Sequence, residues 1–161
     1  MCGSLLINGG VLVIAYAGAV AMTLDIEEES MVNFETGTMS EEVLGALMNT
    51  LPVDMTFVDK DDVVQYFSQN KDRIFVRTKA VLGRTVQQCH PQNSIHAVNQ
   101  ILDDFKSGKR EVAEFWINLD DRSIYIRYFP VRNKIGEYLG CLEVTQDVTD
   151  IRKLEGEKRL L

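Results

Sequence analysis

Three segments near the C-terminus constrain the fold most: "EVAEFWINL" (111–119), "SIYIRYFPV" (123–131) and "YLGCLEVTQDV" (138–148). Each is rich in β-branched and aromatic residues, the composition that fits a pleated, half-buried surface. Tight polar turns separate them, Asp120-Asp121 and then Asn133 to Gly136. Turns this short join strands only in antiparallel fashion, so the stretch predicts three consecutive antiparallel strands.

Upstream, "VDMTFVD" alternates Val53, Met55 and Phe57 against Asp54 and Thr56. After the turn "KDD" the run "VVQYFS" continues as a second strand, which predicts a hairpin. A helix precedes this pair. Thr38 and Glu41 have capping-box spacing, Val43, Leu44, Leu47, Met48 and Leu51 form one apolar stripe, and Pro52 ends the helix. Residues 70–91 carry no long periodic run and are punctuated by Gly83 and Pro91, so short helical turns are expected there. A longer helix follows: Asn93 or Ser94 caps it, Ile95, Val98, Ile101, Leu102 and Phe105 line one face, and Gly108 stops it. Five strands with helices grouped mid-chain predict an α+β fold, a five-stranded antiparallel sheet covered on one face by helices, with flanking N- and C-terminal helices.

At 161 residues the chain has room for one domain with terminal extensions. Its net charge of -7 and lack of clustered Lys and Arg argue against nucleic-acid binding. Cys2, Cys89 and Cys141 form neither a CxxC pair nor an even set, so no disulfide framework or zinc site is expected and the cytoplasm is the default compartment. Residues 1–24 are an apolar N-terminal segment. Its stretch 5–24 is uncharged and long enough to cross a bilayer, but no basic residue precedes it. Gly9, Gly10 and Gly18 around "VLVIAY" fit a hairpin or an added strand, and both that reading and a membrane or export element stand at this level. Residues 25–37, with Glu27, Glu28 and Glu29, read as an acidic linker. The remaining divisions are a flanking amphipathic helix at 38–51, a core at 52–149 and a C-terminal output helix at 150–161.

The blocks "LPVDMTFVD", "VLGRTVQQCHP", "GKREVAEFWI", "IYIRYFPVR" and "LEVTQDVTDIRKLEGE", in this order, resemble a PAS domain. More narrowly they resemble the PAS module at the end of hemerythrin-associated bacterial and archaeal proteins of unknown function. The resemblance spans about residues 39–161 and leaves residues 1–24 unexplained. It implies a sensory or regulatory module that takes a small ligand or redox cofactor between sheet and long helix. In this family the Asp and Thr of the triplet Asp147-Val148-Thr149 couple the core to an output helix. An ordinary helix N-cap is the competing reading of those two residues. The resemblance also implies a hemerythrin-like or other effector, in a longer chain or as a separate protein. Two amphipathic helices flanking one sheet suggest a homodimer.

Candidate binding residues follow from the same frame. His96 lies in the first turn of the long helix, which in heme-binding relatives supplies an axial histidine. His90-Pro91 reads as turn geometry. Trp116, Arg127, Tyr128 and Gln146 are candidates for the cavity wall, with the side each faces set by strand register. An inward Arg127 would require an anionic ligand or a buried partner. The stretch Gly83-Arg84-Thr85-Val86 lacks the cysteine of light-sensing PAS domains, so a flavin photoadduct is not expected, and the cofactor is otherwise undefined. Cys89, His90 and His96 do not match a structural-metal spacing. No catalytic constellation is present, so binding rather than turnover is expected. A ligand-free dimerisation or interaction scaffold is the rival reading.

Overall fold

The computed structural model describes the strand segments within residues 5–25 and residues 30–160. Two compact units make up the chain, Met1–Ala46 and Leu47–Leu161. In the first, β1 (Leu5–Asn8), β2 (Val11–Ile14) and β3 (Met22–Asp25) form an antiparallel sheet in the order β1-β2-β3. No described helix is long and apolar enough to cross a membrane. Glu27, Glu28 and Glu29 of the expected linker lie outside the described residues. Ile26 lies outside them too. Strands β4 (Met31–Phe34) and β5 (Gly37–Ser40) pair as a hairpin across the two residues Glu35 and Thr36.

Helix α1 spans Glu41–Thr50 and starts later than its sequence signal suggests. Thr38 belongs to β5, and Ser40 takes the N-cap position, its Oγ accepting from the Val43 amide at 3.3 Å. Glu41 instead accepts from the Ser30 hydroxyl, so the expected capping box is not made. The apolar stripe is present and only partly covered: Val43, Leu47 and Leu51 are each about half exposed, whereas Leu44 and Met48 are half-buried.

The second unit is built on a five-stranded antiparallel sheet in the order β7-β6-β10-β9-β8. Strand β6 is Asp54–Asp59, β7 Val64–Phe67, β8 Ala113–Leu119, β9 Arg122–Arg132 and β10 Tyr138–Asp147. The last three strands follow directly from turn chemistry. Leu119 pairs with Arg122 across Asp120 and Asp121, both at positive φ, the two-residue turn whose twist matches that of a hairpin. The β9–β10 turn is held by Asn133, whose Oδ1 accepts from the amides of Ile135 and Glu137. Just beyond it, at the register shift between Tyr138 and Gly140, any Cβ at Gly140 would lie 2.1 Å from the Val58 carbonyl oxygen. Only glycine admits the approach of β10 to β6 there.

Between the two strand groups lie a 3-10 turn (Lys79–Val81), α2 (Val86–Cys89) and α3 (Ile95–Lys106). Helix α3 buries Ile101, Leu102 and Phe105 against the sheet. Its end is fixed by Gly108 at φ 72° and by Arg132, whose guanidinium donates to the Phe105 carbonyl at 2.6 Å. Phe105 and Ile124 are completely buried, and Phe105 belongs to the core cluster with Val58, Val64, Ile101, Leu102 and Cys141.

The expected C-terminal helix at 150–161 is not formed. Only a 3-10 turn at Ile151–Lys153 follows β10, and Leu154 closes it in an extended conformation. A segment this short lacks the length for independent helicity, Gly156 interrupts it at φ 62°, and Ile151 and Leu154 remain exposed.

Candidate functional site

Strand register places one row of residues across the inner, helix-facing side of the sheet. Thr56 on β6 pairs with Glu143 on β10, and Glu143 pairs with Tyr128 on β9. The next inner row pairs Val58 with Cys141. Above these rows, α3 presents Ala97, Val98, Ile101 and Leu102. Val86 and Cys89 of α2, followed by His90, close one side, and Phe115 of β8 closes the other. Between them lies a cavity of about 230 Å³, walled almost wholly by apolar side chains. Phe115 and Tyr128 meet edge to face, with ring centroids 6.0 Å apart.

The polar groups of this cavity are few and mutually arranged. Arg77 donates from Nη2 to Glu143 Oε2 at 3.0 Å, with the two side chains only 15% and 13% exposed. Such a pair costs desolvation energy and is held together because either partner alone would be an uncompensated charge. Burial, reinforced by the nearby Glu143, pushes the Tyr128 phenol above its usual range, so it remains a hydrogen-bond donor. The Cys141 thiol is pushed up to about 12, first by burial and then by Glu143, and is therefore unreactive. His90 Nδ1 lies 3.0 Å from the Val86 carbonyl, which fixes the ring at the cavity edge. The bond is local, at the C-cap of α2, as a turn-shaping role requires.

Of the residues singled out from sequence, Tyr128 lines the cavity, whereas His96, Trp116, Arg127 and Gln146 do not. Strand alternation separates neighbours: Tyr128 faces inward, and Arg127 therefore faces the opposite side with its cross-strand partners Glu114 and Val144. The Arg127 guanidinium lies over the rings of Tyr125 and Phe129, at 5.0 and 5.6 Å from their centroids. Its side chain thus lies outside the cavity, and its buried Nε lacks a hydrogen-bond partner among the described residues. Gln146 pairs with Tyr125 on that outer side, and Trp116 is 73% exposed there. His96 is exposed on α3, two residues and thus some 200° around the helix from the cavity residue Val98. A heme ligated by His96 does not fit, and the cavity is far smaller than a porphyrin. Among the described residues, no group of three or more His, Cys, Asp and Glu is placed to hold a metal ion.

Asp147 and Thr149 form a compact junction. Asp147 Oδ1 accepts from both the amide and the hydroxyl of Thr149, and these bonds hold its carboxyl below the usual carboxylate range. Thr149 Oγ1 in turn accepts from the Ser123 amide at 2.8 Å, and the Val148 amide donates to the Ser123 carbonyl at 2.8 Å. Arg152 adds a bond to the Ser123 hydroxyl. The chain leaving β10 is thereby tied to the start of β9. Asp147 ends β10, and the N-cap position of the 3-10 turn that follows belongs to Asp150.

Comparison with known proteins agrees with this geometry. A family model described as a PAS domain matches residues 44–149. The crystal structure of a C-terminal domain from Streptococcus mutans is similar at a TM-score of 0.75 and 29% identity, covering 80% of this chain and 100% of that one. A sensory box sensor histidine kinase from Vibrio cholerae (TM-score 0.48, 14% identity) covers 67% of this chain and 90% of its own. The PAS domain from Bordetella pertussis BvgS (TM-score 0.49, 19% identity) covers 70% and 91%. Both likenesses are too distant to bear on function. No curated protein matches the chain. With a matched family model over most of its length, a five-stranded sheet in the order β7-β6-β10-β9-β8 and helices on its inner side, the chain belongs to the PAS domain family.

Proposed function

We propose that the protein is a sensory or regulatory module whose inner cavity takes a small molecule and whose Asp147–Thr149 junction passes occupancy to a partner. The observation that carries this reading is the cavity itself. A packed interior leaves few voids larger than a water molecule. Here about 230 Å³ remains beside a buried ion pair and a protonated phenol, an apolar chamber with a few polar groups aimed at one side. Tyr128 belongs to β9 and Glu143 to β10, the two strands that the junction ties together, so a shift in either reaches Ser123 and Thr149 through the sheet. The partner is the effector expected from the sequence, of hemerythrin-like or other kind, within a longer chain or separate, and the cytoplasm is the expected compartment.

Native mass spectrometry of the purified chain, paired with the Val98→Phe variant, tests the reading. The larger side chain fills part of the cavity from α3. A stoichiometric bound mass that denaturation releases, and that the variant loses while remaining folded, is the expected result. A ligand retained undiminished by Val98→Phe would place binding elsewhere. The rival, a ligand-free homodimeric scaffold, is favoured by the half-exposed apolar stripe of α1. An apo dimer whose cavity stays empty with every compound tried would decide for it.

A further inference from the structure

The charge balance and volume of the cavity define a ligand class, an inference that rests on the proposed binding role. The charged pair on its wall is Arg77 and Glu143, one positive and one negative, joined at 3.0 Å. Tyr128 and Cys141 stay protonated in this environment. Every other wall residue apart from His90, whose Nδ1 is engaged with the Val86 carbonyl, is non-ionising or a cysteine at the α2 end. A ligand with net charge would either leave that charge uncompensated in an apolar chamber or break the pair and strand one of its members. An uncharged ligand does neither.

The polar groups also prescribe what the ligand carries. Thr56, Glu143 and Tyr128 lie side by side in one row across β6, β10 and β9, whereas the facing α3 wall offers Ala97, Val98, Ile101 and Leu102, with Ser94 at its start, whose hydroxyl donates to the Pro91 carbonyl. The Glu143 carboxylate only accepts hydrogen bonds, and the Tyr128 hydroxyl donates. A hydroxyl on the ligand satisfies both at once, donating to Glu143 and accepting from Tyr128. A volume of about 230 Å³ limits the ligand to a small molecule, below drug size. We infer that the ligand is a small, uncharged, mainly apolar alcohol or similar hydroxyl compound, its apolar body against α3 and its hydroxyl on the Thr56–Glu143–Tyr128 row.

Four probes of nearly equal shape separate the possibilities: cyclohexylmethanol, methylcyclohexane, cyclohexanecarboxylate and cyclohexylmethylammonium, titrated into the full chain by calorimetry or by protein-observed NMR. The alcohol is expected to bind at least about tenfold more tightly than either ion, and more tightly than the hydrocarbon. Arg77→Gln, which leaves Glu143 alone, is expected to shift preference toward the ammonium, and Glu143→Gln toward the carboxylate. If either ion binds the unmodified protein best, the ligand class is wrong while the binding site stands. If the hydrocarbon equals the alcohol, the hydroxyl assignment is wrong. If none of the four shifts a resonance of a cavity residue, both the ligand class and the binding role fail together.

Discussion

Arg73 and Arg77 leave the same irregular segment between β7 and the 3-10 turn, yet their surroundings differ in kind. Every guanidinium nitrogen of Arg73 has a partner. Its Nε donates to the Phe75 carbonyl, Nη1 to the Ser68 carbonyl and hydroxyl, and Nη2 to Thr56 Oγ1, with Asp54 at 4.0 Å and the Phe67 ring beneath it. Asp54 in turn accepts from the amides of Ile74 and Phe75, so the whole knot fixes the segment to β6 and β7. Arg77 has a single carboxylate partner, Glu143, and its buried Nε lacks a hydrogen-bond partner among the described residues. Two arginines of equal charge are thus put to different ends. The saturated one is framework, and the undersatisfied one faces space that a ligand can enter.

Substitutions at the two sites sharpen this contrast. Arg73→Met leaves Asp54 buried at 4% side-chain exposure without its cation, and is expected to cost about 3–5 kcal/mol in urea unfolding. Arg77→Met strands Glu143 beside a cavity that water can enter, and a smaller loss of about 1–3 kcal/mol is expected. Joining it to Glu143→Leu should restore most of that loss, because removing both charges is nearly neutral where removing one is not. No second substitution should rescue Arg73→Met so simply, since its donors serve backbone carbonyls as well as Asp54. Equal losses for the two single variants would erase the distinction.

Smaller effects are expected at the exit. Thr149→Val removes the acceptor of the Ser123 amide and the hydroxyl bonded to Asp147, and should cost about 1 kcal/mol while speeding amide exchange at Ser123. The pH response has a definite sign. The folded carboxyl of Asp147 titrates below its ordinary range because of its bonds to Thr149, so its contribution is fully present above the ordinary aspartate pKa and is lost as pH falls through the folded value. Titrating from pH 5 downward by NMR should release the Thr149 amide, and Thr149→Val should bring the Asp147 titration back toward the normal range.

The elements of this fold were legible because they are local. Alternation and turn residues define β8 to β10, and apolar spacing with Gly108 defines α3. The cavity was not legible, because it is assembled from register. Along β9 both alternating sets carry large side chains, Ile124, Ile126 and Tyr128 inward and Tyr125, Arg127 and Phe129 outward, and only the charge of Arg127 marks the outer set; which residues of β6, β8 and β10 join each face depends on register. Arg77 lies in a segment with no periodicity at all, and Glu143 becomes part of the site only through its pairing with Thr56 and Tyr128. His96 was open to a better reading, since its angular distance from Val98, Ile101 and Phe105 on a helical wheel already turns it away from the buried stripe. The absent C-terminal helix shows a different limit, for a short amphipathic run specifies helix only when a surface is there to cover it.

The most direct test of the account is amide hydrogen exchange of the full chain with and without saturating cyclohexylmethanol. Val148 and Arg152, whose amides donate to Ser123 and Val148 at the junction, report the exit, and Ser68 and Ile74 report the Arg73 knot. Occupancy is expected to change exchange at Val148 and Arg152 by several-fold and to leave Ser68 and Ile74 unaltered. Bound probe in the cavity with unchanged exchange at the exit would contradict it, leaving a binding site that signals nothing through Asp147 and Thr149.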